Sequence, residues 1–293
     1  MKKFEDPRIK TFEIKTKHFK YPIPIAIISP KNNINNANII IYNSGLLGTI
    51  SGSMLLNHDF YDNYYFVCYD KMFHGNNKNK PSQYKNKYLI ELDDVVDYVK
   101  NLFPNRQIYL FGESWGAGIN LLYYKKIGLN KIDNVIVWNM PTKWNSPEKY
   151  SFKMMFEIAC KMLLSFLLKI PFILPNFQSD FSKITRNQML IRIKEMSIAS
   201  KNHSFSCLAC WRYIRIFKKL ILKCNNRHYQ FLYIQSGQDV MAKTKTINLF
   251  KQKLSTNHFS FIPTGYHILS LEPYETNLMY KIIEKYLKNC EEK

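Results

Sequence analysis

Gln107-Ile108-Tyr109-Leu110-Phe111-Gly112-Glu113-Ser114-Trp115-Gly116-Ala117-Gly118 is the stretch whose reading decides the fold. Its first five residues form an apolar, aromatic run that predicts a buried strand. Just beyond it, Asn120-Leu121-Leu122-Tyr123-Tyr124-Lys125-Lys126 predicts a helix. Between them Gly112 to Gly116 reads G-x-S-x-G. A strand, a sharp turn with serine at its apex, then a helix is the setting in which that motif makes a nucleophile elbow. Gly112 and Gly116 flank a strained serine and let neighbouring backbone come close, while Gly118 lets the helix pack on the sheet.

Outward from the elbow, strands and helices alternate. Toward the amino end, Ile90 to Phe103 has helical period, Tyr64 to Tyr69 predicts a strand ending at Asp70, and Ser51 to Phe60 fits a helix. Ala37 to Tyr42 is a β-branched run of the kind covered on both faces of a sheet. Tyr21 to Ile28 suggests another strand, with Pro22 and Pro24 pushing it to a sheet edge. Residues 9–17 alternate as a half-exposed strand does. Toward the carboxyl end, strands are expected at Asn134 to Trp138, Gln230 to Ile234 and His258 to Ile262. Helices are expected at Ala242 to Leu254 and Tyr274 to Cys290. This alternation predicts an α/β fold with a doubly wound, mainly parallel sheet.

The alternation stops near Pro141 and resumes near His228. The intervening residues keep helical periodicity, and the apolar run Met154 to Leu168 contains Glu157 and Lys161 and soon meets Pro171. That is too interrupted for a transmembrane helix. The expected organisation is a core of residues 1–141 and 228–293, with a helical cap inserted at 142–227.

A chain of 293 residues is ample for such a core, and 46% apolar with 22% charged residues describes a soluble globule. The formal charge of +20 fits either attraction to an anionic partner or a composition rich in Lys, Asn, Ile, Tyr and Phe. The second is the simpler account for the chain as a whole. Met1 to Arg8 turns acidic and polar at once, unlike a secretory signal. Six cysteines are too few for a disulfide framework, so a reducing, cytoplasmic compartment is expected. Cys207-Leu208-Ala209-Cys210 with His203 and Cys224 has zinc-ligand residue types. The segment is apolar and helix-like and lacks a second close pair, so no metal is expected.

A serine hydroxyl needs a base within hydrogen-bond reach, itself oriented by a third group. In an open parallel sheet the reactive groups gather at the carboxyl ends of strands. Asp239, in Ser236-Gly237-Gln238-Asp239, and His267, in Gly265-Tyr266-His267, each follow an expected strand. The order Ser, Asp, His is one that hydrolytic triads use. His74 competes for the base and Asp70 for the acid, both being at the same edge. His18, His58, His203, His228 and His258 fall in tips or at amino ends of elements.

On these residues the sequence resembles the α/β-hydrolases of the group containing monoacylglycerol lipases, lysophospholipases and serine aminopeptidase-like hydrolases. The resemblance covers most of the core. It implies that Ser114 is the nucleophile, His267 the general base and acid, and Asp239 the orienting carboxylate, with no cofactor. Two stretches depart from the family pattern. Where the family has His-Gly before its oxyanion residue, this chain has Asn43-Ser44-Gly45-Leu46; the backbone N–H groups of Leu46 and Trp115 are assigned to the oxyanion hole. Where the family often has D-x-R-G-x-G-x-S, this chain has Asp70-Lys71-Met72-Phe73-His74-Gly75-Asn76, without the arginine.

The resemblance implies acyl transfer from an ester. Between Asn145 and Arg227 stand fifteen Lys or Arg against four acids, interleaved with aromatics such as Phe152, Phe156, Trp211 and Tyr213. That suits a lipid ester at an anionic bilayer, with peripheral membrane contact through the basic cap. A substrate ammonium would want carboxylates, so the acid-poor cap argues against aminopeptidase action. Small acyl esters or thioesters are the alternative substrates. A non-catalytic membrane-binding protein on a hydrolase scaffold would not need the three triad residue types. No nucleic acid is expected, since phosphate-binding glycine loops and RNA-binding signatures are absent.

Overall fold

Apolar runs become eight strands in the computed structural model, which describes residues 6–32, 35–45, 48–53, 56, 59–72, 74–79, 87–142, 156, 160, 185–186, 215–217, 219, 231–242, 244–254 and 258–291. The strands are β1 (Ile9–Ile14), β2 (Ile23–Ile28), β3 (Ile39–Asn43), β4 (Tyr65–Tyr69), β5 (Ile108–Glu113), β6 (Asn134–Trp138), β7 (Phe231–Ser236) and β8 (Phe259–Ile262). They form one sheet in the order β1-β2-β4-β3-β5-β6-β7-β8. The β1–β2 and β2–β4 pairs are antiparallel, and all other neighbours are parallel. This is the doubly wound, mainly parallel α/β sheet that the alternation predicts.

Period-two side-chain alternation divides the core between the two faces. From β5, Ile108 and Leu110 join one buried cluster and Tyr109 and Phe111 the other. The first cluster is covered by α2 (Lys87–Leu102) and α3 (Trp115–Ile127). In α2 the spacing of Leu89, Leu92, Val95, Val96 and Val99 gives a continuous apolar stripe. Phe250 of α4 (Thr244–Lys253) joins the same cluster, stacked on Tyr233 of β7 with ring centres 4.2 Å apart. The opposite cluster is aromatic, with Tyr42, Phe60, Phe66, Phe111 and Trp138 packed under Tyr280 of α5 (Glu275–Glu291).

Two local expectations change. β2 is not an edge strand, because β1 covers it. Pro24 is tolerated because its carbonyl faces β4, accepting from Asp70 N–H at 3.1 Å, at the end of a ladder whose pairs begin at Ile25. Its missing N–H therefore falls outside that ladder. In the stretch 51–60, the described residues carry only a short helix, α1 (Ile50–Ser53), followed by the 3-10 turn Asp59–Asn63. The Leu56 N–H already bonds the Ser53 carbonyl three residues back, the tighter 3-10 spacing. The cap expected at 142–227 lies outside the described residues apart from a few positions, as does the cysteine and histidine set from His203 to Cys224. Among the described residues no helix is long and apolar enough to cross a membrane.

Candidate active site

β5 lies between β3 and β6, and its last residue, Glu113, pairs with Trp138. Ser114 comes immediately after as the residue before α3, with φ 53° and ψ −115°. A non-glycine residue there stores roughly 1–3 kcal/mol of strain, held by its surroundings. The Ser114 N–H donates to the Trp138 carbonyl at 3.0 Å and the Ser114 carbonyl accepts from Gly118 N–H at 3.3 Å. Both peptide neighbours are thus tied down, and the hydroxyl stands at the carboxyl edge of the sheet.

The other expected side chains converge on it. His267 Nε2 is 2.7 Å from Ser114 Oγ, and His267 Nδ1 is 2.7 Å from Asp239 Oδ1. A carboxylate only accepts, so the proton of a neutral imidazole sits on Nδ1 and Nε2 is left to accept from the serine. Asp239 also accepts from Met241 N–H at 2.8 Å and from Gln235 Nε2 at 3.1 Å, and its side chain is fully buried. His267 is buried as well. Burial lowers its pKa, but the charge and hydrogen bond of Asp239 and the charge of Glu113 outweigh that, and the net shift is upward from the ordinary histidine value.

The competitors are occupied elsewhere. His74 is buried with Nδ1 2.8 Å from the Met72 carbonyl oxygen. Asp70 accepts from Ile50 N–H at 2.7 Å and Asn76 N–H at 2.8 Å, so it shapes the loop after β4. Trp115 begins α3, where a helix does not use its own first N–H groups, and its ring is buried against Phe217. Leu46 lies outside the described residues. The loop that leads to it rests on the elbow, since a Cβ added to Gly45 would lie 3.7 Å from Ser114 Oγ.

Sequence alone does not single out the supporting residues. Glu113 is buried beneath the site and accepts from Trp138 Nε1 at 2.8 Å, Ser270 Oγ at 2.9 Å and Tyr42 Oη at 3.1 Å. Asn139, with φ 51°, places its amide nitrogen within 3.0 Å of the Tyr266 carbonyl and 2.9 Å of the His267 carbonyl. Its side-chain oxygen accepts from Ser236 N–H at 2.8 Å, joining the ends of β6 and β7 to the histidine loop. A polar residue directly after a β-branched strand is the one sequence sign of that role. Among the described residues no group of side chains could hold a metal ion.

A family model described as serine aminopeptidase, S33, matches residues 39–274, which is well over half of the chain. The monoacylglycerol lipase of Paleococcus ferrophilus is similar in structure, at 14% identity and TM-score 0.66 over 92% of this chain and 99% of that one. A soluble variant of the Saccharomyces cerevisiae monoglyceride lipase, in complex with a substrate analogue, is 14% identical with TM-score 0.69 over 96% of this chain and 94% of that one. A carboxyl esterase from Bacillus coagulans is 11% identical with TM-score 0.67 over 96% and 98%. A search of curated proteins gives no match. These structures share the fold, and the family match goes further: the chain belongs to the serine aminopeptidase S33 family of α/β-hydrolases.

Proposed function

We propose that this protein is a serine hydrolase that cleaves carboxylic esters, with a lipid ester of the monoacylglycerol or lysophospholipid type as substrate. The observation that carries the reading is the chain Ser114 Oγ to His267 to Asp239, two links of 2.7 Å at the apex of a strained elbow. Ser114 Oγ attacks the ester carbonyl carbon as His267 Nε2 takes its proton. The tetrahedral oxyanion is met by the N–H groups of Trp115 and Leu46, each such donor being worth about 3 kcal/mol. The intermediate collapses, the alcohol leaves with the proton from His267, and an acyl-serine remains. Water, deprotonated by the same histidine, attacks the acyl carbon and frees the acid and the serine. Asp239 holds the Nδ1–H tautomer throughout and stabilises the imidazolium. No cofactor enters any step.

The substrate class is supported by the basic, aromatic composition of residues 142–227 and by the similarity to monoglyceride lipases. Those residues are read as a helical cap over the core that meets an anionic membrane surface peripherally, in the cytoplasm. The similarity to a carboxyl esterase supports a second reading, hydrolysis of small acyl esters. Ser114→Ala abolishes turnover and fluorophosphonate labelling while the protein keeps its fold by circular dichroism. Unchanged labelling would refute the site. Faster turnover of long-chain monoacylglycerol or lysophospholipid than of short p-nitrophenyl esters supports the lipid reading, and the reverse order supports the second.

A further inference from the structure

A buried ammonium borders this site, and no step above uses it. Lys71 lies just past the end of β4 and is 1% exposed. Its Nζ donates to the Ser44 carbonyl at 2.9 Å and to Ser44 Oγ at 2.5 Å. Ser44 is the first residue after β3 and is itself buried. The loop it opens is wedged against the elbow. A Cβ on Gly45 would lie 3.2 Å from Ser114 Cβ, and one on Gly116 would lie 2.7 Å from the Ser44 carbonyl oxygen. Removing an ammonium from water costs several kcal/mol even after relaxation, and a methionine would fill similar volume without that cost. Shape alone therefore does not account for a lysine here.

We propose that Lys71 is a positioning residue for oxyanion stabilisation, its ammonium clamping the Ser44–Gly45 peptide against the nucleophile. Peptide planarity transmits the clamp. The peptide is a planar trans unit, so holding its Ser44 carbonyl between Lys71 and Gly116 fixes the plane from which the chain continues toward Leu46, whose N–H is the assigned oxyanion donor. The second bond, to Ser44 Oγ, ties the side chain of the same residue and resists rotation of that peptide. A preorganised loop then needs no reorganisation when charge develops on the substrate oxygen, and a buried positive charge nearby favours that charge. This fits the departure from the family pattern at both loops: a serine stands where the family has histidine, and a lysine reaches it from the loop that lacks the arginine.

The proposal rests on Ser114 being the nucleophile. Its test is ester hydrolysis by Lys71→Met and Ser44→Ala, with kcat expressed per serine titrated by a fluorophosphonate and Ser114→Ala as control. Lys71→Met is expected to lose about a hundredfold in kcat per titrated site and Ser44→Ala about tenfold, with KM within about threefold of wild type. A lysine that merely supports the fold lowers the number of active sites and not the turnover of each. Unchanged kcat per site, or a loss carried by KM alone, overturns the proposal whatever the melting temperature. If Lys71→Met does not fold, Ser44→Ala decides by the same two outcomes, since it removes only a hydroxyl. Labelling that persists in Ser114→Ala would instead refute the nucleophile, so the two failures are distinct.

Discussion

Replacing Gly116 by alanine tests whether the loop after β3 and the elbow must touch for turnover. The added Cβ would lie 1.8 Å from the Asn43 carbonyl oxygen, 2.5 Å from its carbon and 2.7 Å from the Ser44 oxygen. All three are backbone atoms, so no side-chain rotation relieves the overlap. An ordinary carbon–oxygen contact is roughly 3.3 Å, so the loop and the first turn of α3 must part by about 1.5 Å. β3 and β5 cannot separate there, because Asn43 pairs with Gly112 in the ladder. The movement falls on Ser44, Gly45 and the start of α3, which are the parts that border the serine hydroxyl.

A displacement near 1 Å at a reacting centre costs about a hundredfold in rate, and overpacking costs about 1–3 kcal/mol of stability. Gly116→Ala is therefore expected to lose about a hundredfold in kcat per titrated serine, with a melting temperature lower by roughly 2–10 °C. Weakened helix formation cannot be the cause, since alanine favours a helix over glycine by about 1 kcal/mol. Gly128→Ala is the matched control. Gly128 ends α3 with φ 69° and has nothing within 4 Å of an added Cβ. That substitution strains the backbone by about 1–2 kcal/mol and should leave turnover per site unchanged. A folded Gly116→Ala enzyme with kcat within about threefold of wild type would refute the reasoning that links loop contact to rate.

Two further predictions concern buried carboxyl groups. In the proposed mechanism His267 must be neutral to take the serine proton, so activity is expected to be lost as pH falls through its raised pKa. Glu113→Gln removes one of the charges that raise it while keeping an oxygen for Trp138 and Ser270, and the acidic limb of kcat/KM should move to lower pH. A limb that stays in place or moves up would show that Glu113 does not act on the histidine. Glu91 of α2 is buried, and desolvation pushes its carboxyl up to about 8, despite the Met72 N–H bond, the Lys71 charge and the Asn77 bond. The native state then keeps a proton that the unfolded chain releases above 4.5, so stability is full at low pH and declines as pH rises through about 8. Between pH 6 and 9 the loss from this group is roughly 3 kcal/mol, which Glu91→Leu should abolish in urea titrations at the two pH values. Equal pH dependence in both proteins would contradict it.

The middle of the sheet is legible in the sequence because its strands are buried on both faces. Ile39-Ile40-Ile41-Tyr42 and Val135-Ile136-Val137-Trp138 each read as unbroken apolar runs, and the turn chemistry of Gly112 to Gly116 marks where the chain reverses. The convergence of Ser114, Asp239 and His267 is legible for a related reason: parallel strands deliver their succeeding loops to one edge. Pairing order is less local. Nothing within Tyr21 to Ile28 says that β1 will return to cover it, so Pro24 reads as an edge signal. Polar partners beneath the site are harder still. Glu91 falls on the buried stripe of α2 beside Leu92 and Val95, but charge alone suggests a solvated helix start. Lys71 and Ser44 meet across 27 positions of sequence and only through tertiary structure. Asn139 looks like an ordinary polar cap on a strand until its three loops are seen together.

The charges around His267 bear on which family activity suits this chain. An aminopeptidase must bind a substrate ammonium, and a carboxylate with spare acceptor capacity is the natural means. Among the described residues, four carboxylates around the histidine loop are already engaged. Asp239 serves His267, and Glu113 serves Trp138, Ser270 and Tyr42. Glu272 accepts from Arg186 Nε at 3.0 Å and Glu275 from the same guanidinium. That guanidinium also lies over the Tyr266 ring, 4.9 Å from its centre. Freeing Glu272 for a ligand would take from a fully buried carboxylate the guanidinium it accepts from, a cost that a single ammonium contact would first have to offset. A substrate without a positive charge at that position avoids the conflict. Arg186 thus stands beside Tyr266 of the histidine loop with its carboxylate partners engaged, and these committed acceptors fit the acyl ester proposed above better than the ammonium of an amino-terminal peptide.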